Sequence, residues 1–207
     1  MNKPSRALSV LIITLLACVG AGLTIALQHG ASTRIIAARE TAQAQAFLSI
    51  LPPDSFDNHP LQHPLTLPER TPATQTVIAA YLATLGDQPC AILFHSQTQG
   101  YSGTIELLIG VSTTGKLIGV KVLKQSETPG LGARIATEPG WLARFLGKST
   151  NDPAESGWAL KKDNGQFDQI AGATITSRAA TGAIHDTLQF FDAYRAQLLS
   201  PSTGNPP

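Results

Sequence analysis

The sequence predicts an α+β domain carried behind one apolar N-terminal helix, and three observations lead there. Residues 7–28 (ALSVLIITLLACVGAGLTIALQ) contain no charged side chain. Two runs of alternating aliphatic residues flank a Ser-Thr-Thr-Gly turn, and a late stretch repeats apolar residues at helical spacing. The 207 residues, 43% of them hydrophobic, suit one domain with accessory segments.

The run 7–28 is the first element. As a helix it spans roughly 33 Å, enough for a bilayer core, so it is read as a transmembrane helix. Lys3 and Arg6 precede it, which places residues 1–6 in the cytoplasm and the following domain on the other side. A cleaved signal peptide would need a shorter apolar segment and a small-residue cleavage site. Leu15 to Cys18 reads LLAC, like a lipoprotein signal, but the apolar run continues through VGAGLTIAL beyond the cysteine.

Residues 32–51 (STRIIAARETAQAQAFLSIL) are rich in helix formers, with Ser32 suited to an N-cap and Pro52-Pro53 closing the helix. The domain is placed at residues 54–199. It starts with a proline-rich stretch to Thr71 that reads as an irregular, extended wrap, with His59 and His63 taken as surface residues. From Thr76, TVIAAYLATLG and PCAILFHSQTQG are β-branched and aliphatic runs parted by a glycine-containing turn. Ile105, Leu107, Ile109 and Val111 then alternate, STTG turns the chain, and Ile118, Val120 and Val122 alternate back. This predicts an antiparallel hairpin with one buried face. Gly110 and Gly119 within it point to a bulge or the close approach of something flat. A short helix is expected over Gly140 to Gly147, then the polar stretch WALKKDNGQFDQI, then a final helix following Ser177. Ala180, Ile184, Leu188, Phe191 and Leu198 give that helix one apolar face. Residues 200–207 (SPSTGNPP) read as a disordered tail.

Composition excludes several classes of function. A net charge of +1 and the lack of a Lys/Arg stripe exclude an electrostatic nucleic-acid partner. Cys18 lies in the apolar run and Cys90 in a strand, without CxxC spacing, which excludes a structural zinc or iron–sulfur site and predicts no bound metal. Cys90 reads as a small buried hydrophobe.

The stretch DQIAGATITS is the candidate for chemistry. Gly172 permits a tight turn, Ala173 lets other groups approach the backbone, and Thr174 precedes a helix start, where unpaired N–H groups suit a phosphate. The same residues also suit a plain capped turn. No acid–base pair or nucleophilic triad is present, since Asp168 is the only carboxylate of the stretch. The turn ETPGLG combines Pro129 with two glycines and exposes backbone donors. Trp141 and Trp158 are expected as core or rim aromatics, and His95 and His185 as structural or exposed. Lys161 and Lys162 fit a solvated loop better than a phosphate clamp.

DQIAGATITS resembles the flavinylation motif of the FMN-binding domain family, whose pattern is Asp, two variable residues, Ser or Thr, Gly, Ala, Thr. GYSGTIELLIGV (100–111), the stretch from Gly115 through SETPGLG, and WALKKDNGQFDQIAGATIT resemble the G subunits of the Rnf (or Rsx) electron transport complex. The resemblance implies a periplasmic α+β domain with an antiparallel sheet and flanking helices, anchored in the bacterial inner membrane. It implies FMN joined to Thr174 by a phosphoester, attached from FAD by a flavin transferase with Mg²⁺. Gly172 and Ala173 would clear space for the phosphate, and Asp168 belongs to the recognition pattern. Thr176 is the rival acceptor, although only Thr174 follows Gly-Ala. Ala171 departs from the usual Ser or Thr. Glu127, Thr128, Gly130, Leu131 and Gly132 would lie against the flavin, Leu131 as an apolar contact and Thr128 as a hydrogen-bonding one. The implied role is that of a redox component, not catalytic alone, that relays electrons between ferredoxin and NAD pools coupled to ion movement, or keeps a redox-sensing regulator reduced. Its partners would be the rest of the membrane complex, the transferase and the lipid bilayer. Two alternatives remain: the C subunit of a sodium-pumping NADH:quinone reductase, and an unflavinylated membrane-anchored assembly or binding protein.

Overall fold

A computed structural model describes residues 10–20, 50–62, 64–68 and 76–200. The chain divides into two units, 1–43 and 44–207. In the first unit, residues 10–20 are helical and expose Val10, Leu11, Ile12, Ile13, Leu15, Leu16 and Val19. Among the described residues, no helix is long and apolar enough to cross a membrane. The rest of the expected span 7–28, His63, and all of the expected helix 32–51 except its last two residues lie outside the described residues. Those two, Ile50 and Leu51, form a turn and a bend rather than helix.

The second unit is built on one antiparallel sheet in the order β1 (Val77–Leu85), β2 (Gln88–Gln99), β3 (Thr104–Ser112) and β4 (Leu117–Lys124). Gly86 and Asp87, with φ of 57° and 61°, join β1 to β2 by a two-residue turn whose twist matches the strands. The expected strands and hairpin are all present. Ile105, Leu107, Ile109 and Val111 point to one face, where the helix α3 (Thr174–Leu199) packs through Ala180, Ala183, Ile184, Leu188 and Phe191. Phe94 meets Phe190 and Phe191 edge-on, at centroid distances of 6.0 and 6.4 Å. One polar pair lies in this interface. Thr187 donates to the Ala183 carbonyl and so accepts from Ser96, whose oxygen is 2.9 Å away.

Strand β3 of the hairpin is buried on both faces, not one, whereas β4 still exposes Lys121. Leu93 and Leu108 are fully buried on the reverse side, packed with Ile50, Leu51, Ala83 and Ala91, and Phe56 and Leu61 add to the cover. Gly110 and Gly119 pair across β3 and β4 on that side. A Cβ on either would lie 2.7 or 2.9 Å from Ile50 Cγ2, so the group that approaches them is a side chain of this chain. The register also slips between Gly110 and Val111, a bulge beside the same spot. The proline-rich wrap runs along β1. Asp57 N–H donates to Thr84 O, Asn58 bridges Leu82 O and Thr84 N, and Leu65 N–H donates to Ala80 O.

Two short helices, α1 (Arg134–Thr137) and α2 (Pro139–Leu142), and a 3-10 turn at Ala143–Phe145 flank β4. The stretch expected to be polar supplies core: Trp158, Leu160, Phe167 and Ile170 are all buried. Its charged residues Lys161–Asp163 form an exposed turn closed by left-handed Asn164, at φ 67°. Phe145 stacks on Phe167 at 4.4 Å, Trp158 stacks on His185 at 4.9 Å, and Trp141 is buried, as core aromatics.

Helix α3 begins at Thr174, earlier than the expected start after Ser177. Ser177 is the reason. Its N–H donates to Ala173 O, its hydroxyl donates to the same carbonyl at 2.9 Å, and it accepts from Ile170 N–H at 3.0 Å. Ser177 thus ties the preceding turn to the first helical turn from inside the helix, instead of capping it.

Candidate functional site

A cleft of about 410 Å³ opens at the N-terminus of α3. That volume lies within the roughly 300–1,000 Å³ of small-molecule and cofactor sites. Three chain segments form its walls: Tyr101; Glu127, Thr128, Leu131 and Gly132; and Gly172 to Thr176.

The helix wall follows from the turn before it. Gly172 has φ +76°, a left-handed conformation that favours glycine, and a Cβ there would lie 2.8 Å from Leu131 Cδ2. Ala173, at φ −127° and ψ 46°, leads into the first turn and offers no side-chain cap. The N–H groups of Thr174, Ile175 and Thr176 therefore have no backbone acceptor, because the first bond of the helix is that of Ser177 N–H to Ala173 O. Free N–H groups and the positive end of a helix of 26 residues form a site for an anion. Thr174 is half-buried at this rim, and its hydroxyl donates to Gln169 Oε1 at 2.8 Å, which leaves the oxygen lone pairs free.

The second wall is the turn Glu127–Gly132. Leu131 N–H and Ala133 N–H both donate to Thr128 O at 3.1 Å, which fixes the turn. Gly132 must be small, because a Cβ would lie 2.6 Å from Glu127 Oε2 and 2.7 Å from Thr176 Oγ1. Leu131 is 45% exposed at the rim, and Gly130 sits in the exposed part of the turn without lining the cleft. Glu127 is only 5% exposed and accepts from three groups: Ser102 N–H at 3.0 Å, Tyr101 N–H at 3.3 Å, and the Thr176 hydroxyl at 2.5 Å.

Eight of the ten residues expected at the site thus meet at one cleft: Glu127, Thr128, Leu131, Gly132, Gly172, Ala173, Thr174 and Thr176. Besides Gly130, the other exception is Asp168. Its carboxylate faces Lys161 Nζ at 2.8 Å and Arg144 at 2.7 Å, and its carbonyl accepts Trp141 Nε1–H at 2.6 Å. The Lys161 hydrogen bond, then the Arg144 charge, hold Asp168 below the usual carboxylate range. Asp168 anchors the base of the loop that carries Thr174, and Lys161 is occupied in doing so. Thr176 faces the interior on Glu127, which leaves Thr174 as the hydroxyl at the open rim.

Sequence reasoning missed Tyr101 and Ile175, which are 71% and 48% exposed on the cleft. A large exposed aromatic between Gly100 and Gly103 was a readable signal for the first. Ile175 gave none, since it follows the Gly-Ala-Thr motif as an ordinary apolar residue. His95 bonds Glu106 Oε2 at 3.1 Å on the other side of the sheet, and Cys90 is half-buried with its thiol on Ala83 O.

The FMN-binding domain model matches residues 100–189, which contain every wall of the cleft. Three curated relatives are each named as the G subunit of an ion-translocating oxidoreductase complex. The protein of Pseudomonas aeruginosa is 46% identical, covering 97% of this chain and 95% of its own length. That of Cereibacter sphaeroides is 39% identical over 96% and 90%. That of Vibrio cholerae is 35% identical over 91% of each. Among solved structures, the chain is similar to the C subunit of the Na⁺-translocating NADH-quinone reductase from Parabacteroides distasonis. That pair shares 26% identity at a TM-score of 0.46, over 60% of this chain and 64% of that one.

Proposed function

Because the chain belongs to the G-subunit family of the ion-translocating oxidoreductase complex and contains its FMN-binding domain, we propose that it is the covalently flavinylated redox subunit of such a complex. FMN held in the cleft supplies one-electron and two-electron redox chemistry. The chain's task is to bind, orient and shield that group. The cleft fits it: Gly172 and Gly132 let the walls pack closely where a side chain would collide with Leu131, Glu127 or Thr176, and the three free N–H groups at the start of α3 would hold a phosphate.

The observation that carries the covalent reading is the placement of Thr174. Its hydroxyl is the first side chain of α3, at the rim of the cleft, beside those N–H groups. In the attachment step Thr174 Oγ1 bonds to the flavin-side phosphorus of FAD, the pyrophosphate P–O bond breaks, and AMP leaves. The hydroxyl proton passes to a base of the transferase. The N–H groups then steady the phosphodiester charge. A phosphoester also prevents loss of the group by diffusion on the open side of a membrane.

The uncharged run 7–28 is assigned as the inner-membrane anchor, with the domain periplasmic, in contact with the rest of the complex. The helical residues 10–20, with seven exposed large apolar side chains, support it. The name shared by relatives matched nearly end to end favours this reading over the C subunit of a sodium-pumping quinone reductase.

In-gel fluorescence after denaturation tests the proposal directly. The full chain made alongside an active transferase should fluoresce and gain the mass of FMN minus water, and Thr174→Ala should abolish both. A dark wild type would leave an unflavinylated binding protein, and a fluorescent Thr174→Ala protein would move the attachment to another residue.

A further inference from the structure

Glu127 is a buried carboxylate that lines the cleft but is not needed to bind a phosphate, and a negative charge there opposes an anion nearby. Its geometry gives it another role. Its oxygens accept hydrogen bonds from Tyr101 N–H, Ser102 N–H and the Thr176 hydroxyl, the partners a carboxylate withdrawn from water requires. These donors come from two different segments, 25 and 26 residues before it and 49 residues after it in sequence. Together with the turn of Glu127 itself, they make up all three walls. The fit is tight: a Cβ on Gly100 would lie 2.4 Å from Glu127 Oε1, and one on Gly132 2.6 Å from Oε2.

We propose that Glu127 is a positioning residue whose fixed negative charge, held by these three donors, lowers the reduction potential of the flavin in this cleft. The inference rests on the FMN reading above. Reduction adds negative charge to the contents of the cleft, and a carboxylate in its wall, shielded from water, disfavours that charge. Each hydrogen bond to the carboxylate offsets part of its field. Loss of the charge and loss of a donor should therefore move the potential in opposite directions, although both loosen the walls.

The test is a redox titration of the full chain, purified in detergent after coexpression with a flavin transferase, with thermal melting measured on the same samples. Glu127→Gln should raise the potential, shifting the reduced-to-oxidised ratio at least about tenfold, or about 59 mV for one electron. Thr176→Val keeps the charge and removes a donor, and should lower the potential. Both variants should melt below the wild type. An unchanged or lower potential in flavin-loaded Glu127→Gln overturns the proposal. Should that variant fail to fold, an unchanged or raised potential in Thr176→Val overturns it equally. A wild type that carries no flavin removes the FMN reading, and this inference with it, whereas a loaded wild type with unshifted variants removes only the role of Glu127.

Discussion

Gly172 has the most constrained backbone of the cleft, since its φ of +76° combines with a Leu131 methyl 2.8 Å from any added Cβ. Gly172→Ala should cost about 1–3 kcal/mol from the left-handed backbone alone. It should also slow flavin incorporation at Thr174, because Leu131 must move into the cleft. Melting temperature and in-gel fluorescence on the same preparation check the two effects. At the far side of α3, His185 stacks on Trp158 with its Nε2 buried and without a partner. Burial pushes its imidazole below the ordinary value of 6.5, against the opposing pull of Asp186 and Glu155. The unfolded chain therefore binds the proton more readily than the folded one. The stability contribution is complete above pH 6.5 and is lost as the pH falls from there toward the lower folded value. Asp186, raised by burial, acts in the opposite sense, its contribution falling as the pH rises above 3.8. His185→Phe keeps the ring stack and should flatten the fall in melting temperature between about pH 7 and 5.

At the scale of elements, the reverse side of the sheet depends on one side chain filling a space left by two glycines. Ile50→Ala should cost about 2–5 kcal/mol as a buried aliphatic truncation. Gly110→Ala should destabilise as well, by collision with Ile50 Cγ2 at 2.7 Å. The double variant should be more stable than the sum of the two predicts, because the small residue at 50 makes room for the new methyl. Denaturant titration of the four proteins measures that coupling, and strict additivity would sink the account. The start of α3 depends in the same way on Ser177. Ser177→Ala leaves Ile170 N–H buried without its acceptor, which should cost about 1–3 kcal/mol. It should also loosen the Thr174 loop, visible as faster amide exchange at residues 170–174.

Across the whole molecule, the proposed anchor would set the uncharged run 7–28 in a bilayer and the domain that follows in water. The full chain is expected in the membrane pellet after a carbonate wash, with its domain cut by protease added to spheroplasts but not to intact cells. Recovery in the soluble fraction would remove the anchor. Much of the domain can be read from residues alone, because a strand or helix reports its solvent contrast locally. The alternation through Ile105–Val111 and the spacing Ala180, Ile184, Leu188, Phe191 both lead to the right element. Where both sides of an element are buried, that contrast disappears. For this reason the alternation predicts only one buried face for the hairpin, and Trp158, Leu160, Phe167 and Ile170 stay hidden among charged neighbours.

The site divides along the same line. Gly172, Ala173 and Thr174 lie consecutively, so their turn, small size and hydroxyl can be read from sequence, and so can the turn around Pro129. Sequence by itself determined the candidate acceptor, the strands and the apolar face of the last helix, since each depends on neighbours a few residues away. Tertiary structure alone decided that Thr176 turns inward to Glu127 while Thr174 stays at the rim, that Asp168 ties down the loop through Lys161 and Arg144, and that Tyr101 and Ile175 complete the walls. Those assignments depend on contacts between residues as many as 49 positions apart, and such contacts leave no periodic trace in the chain.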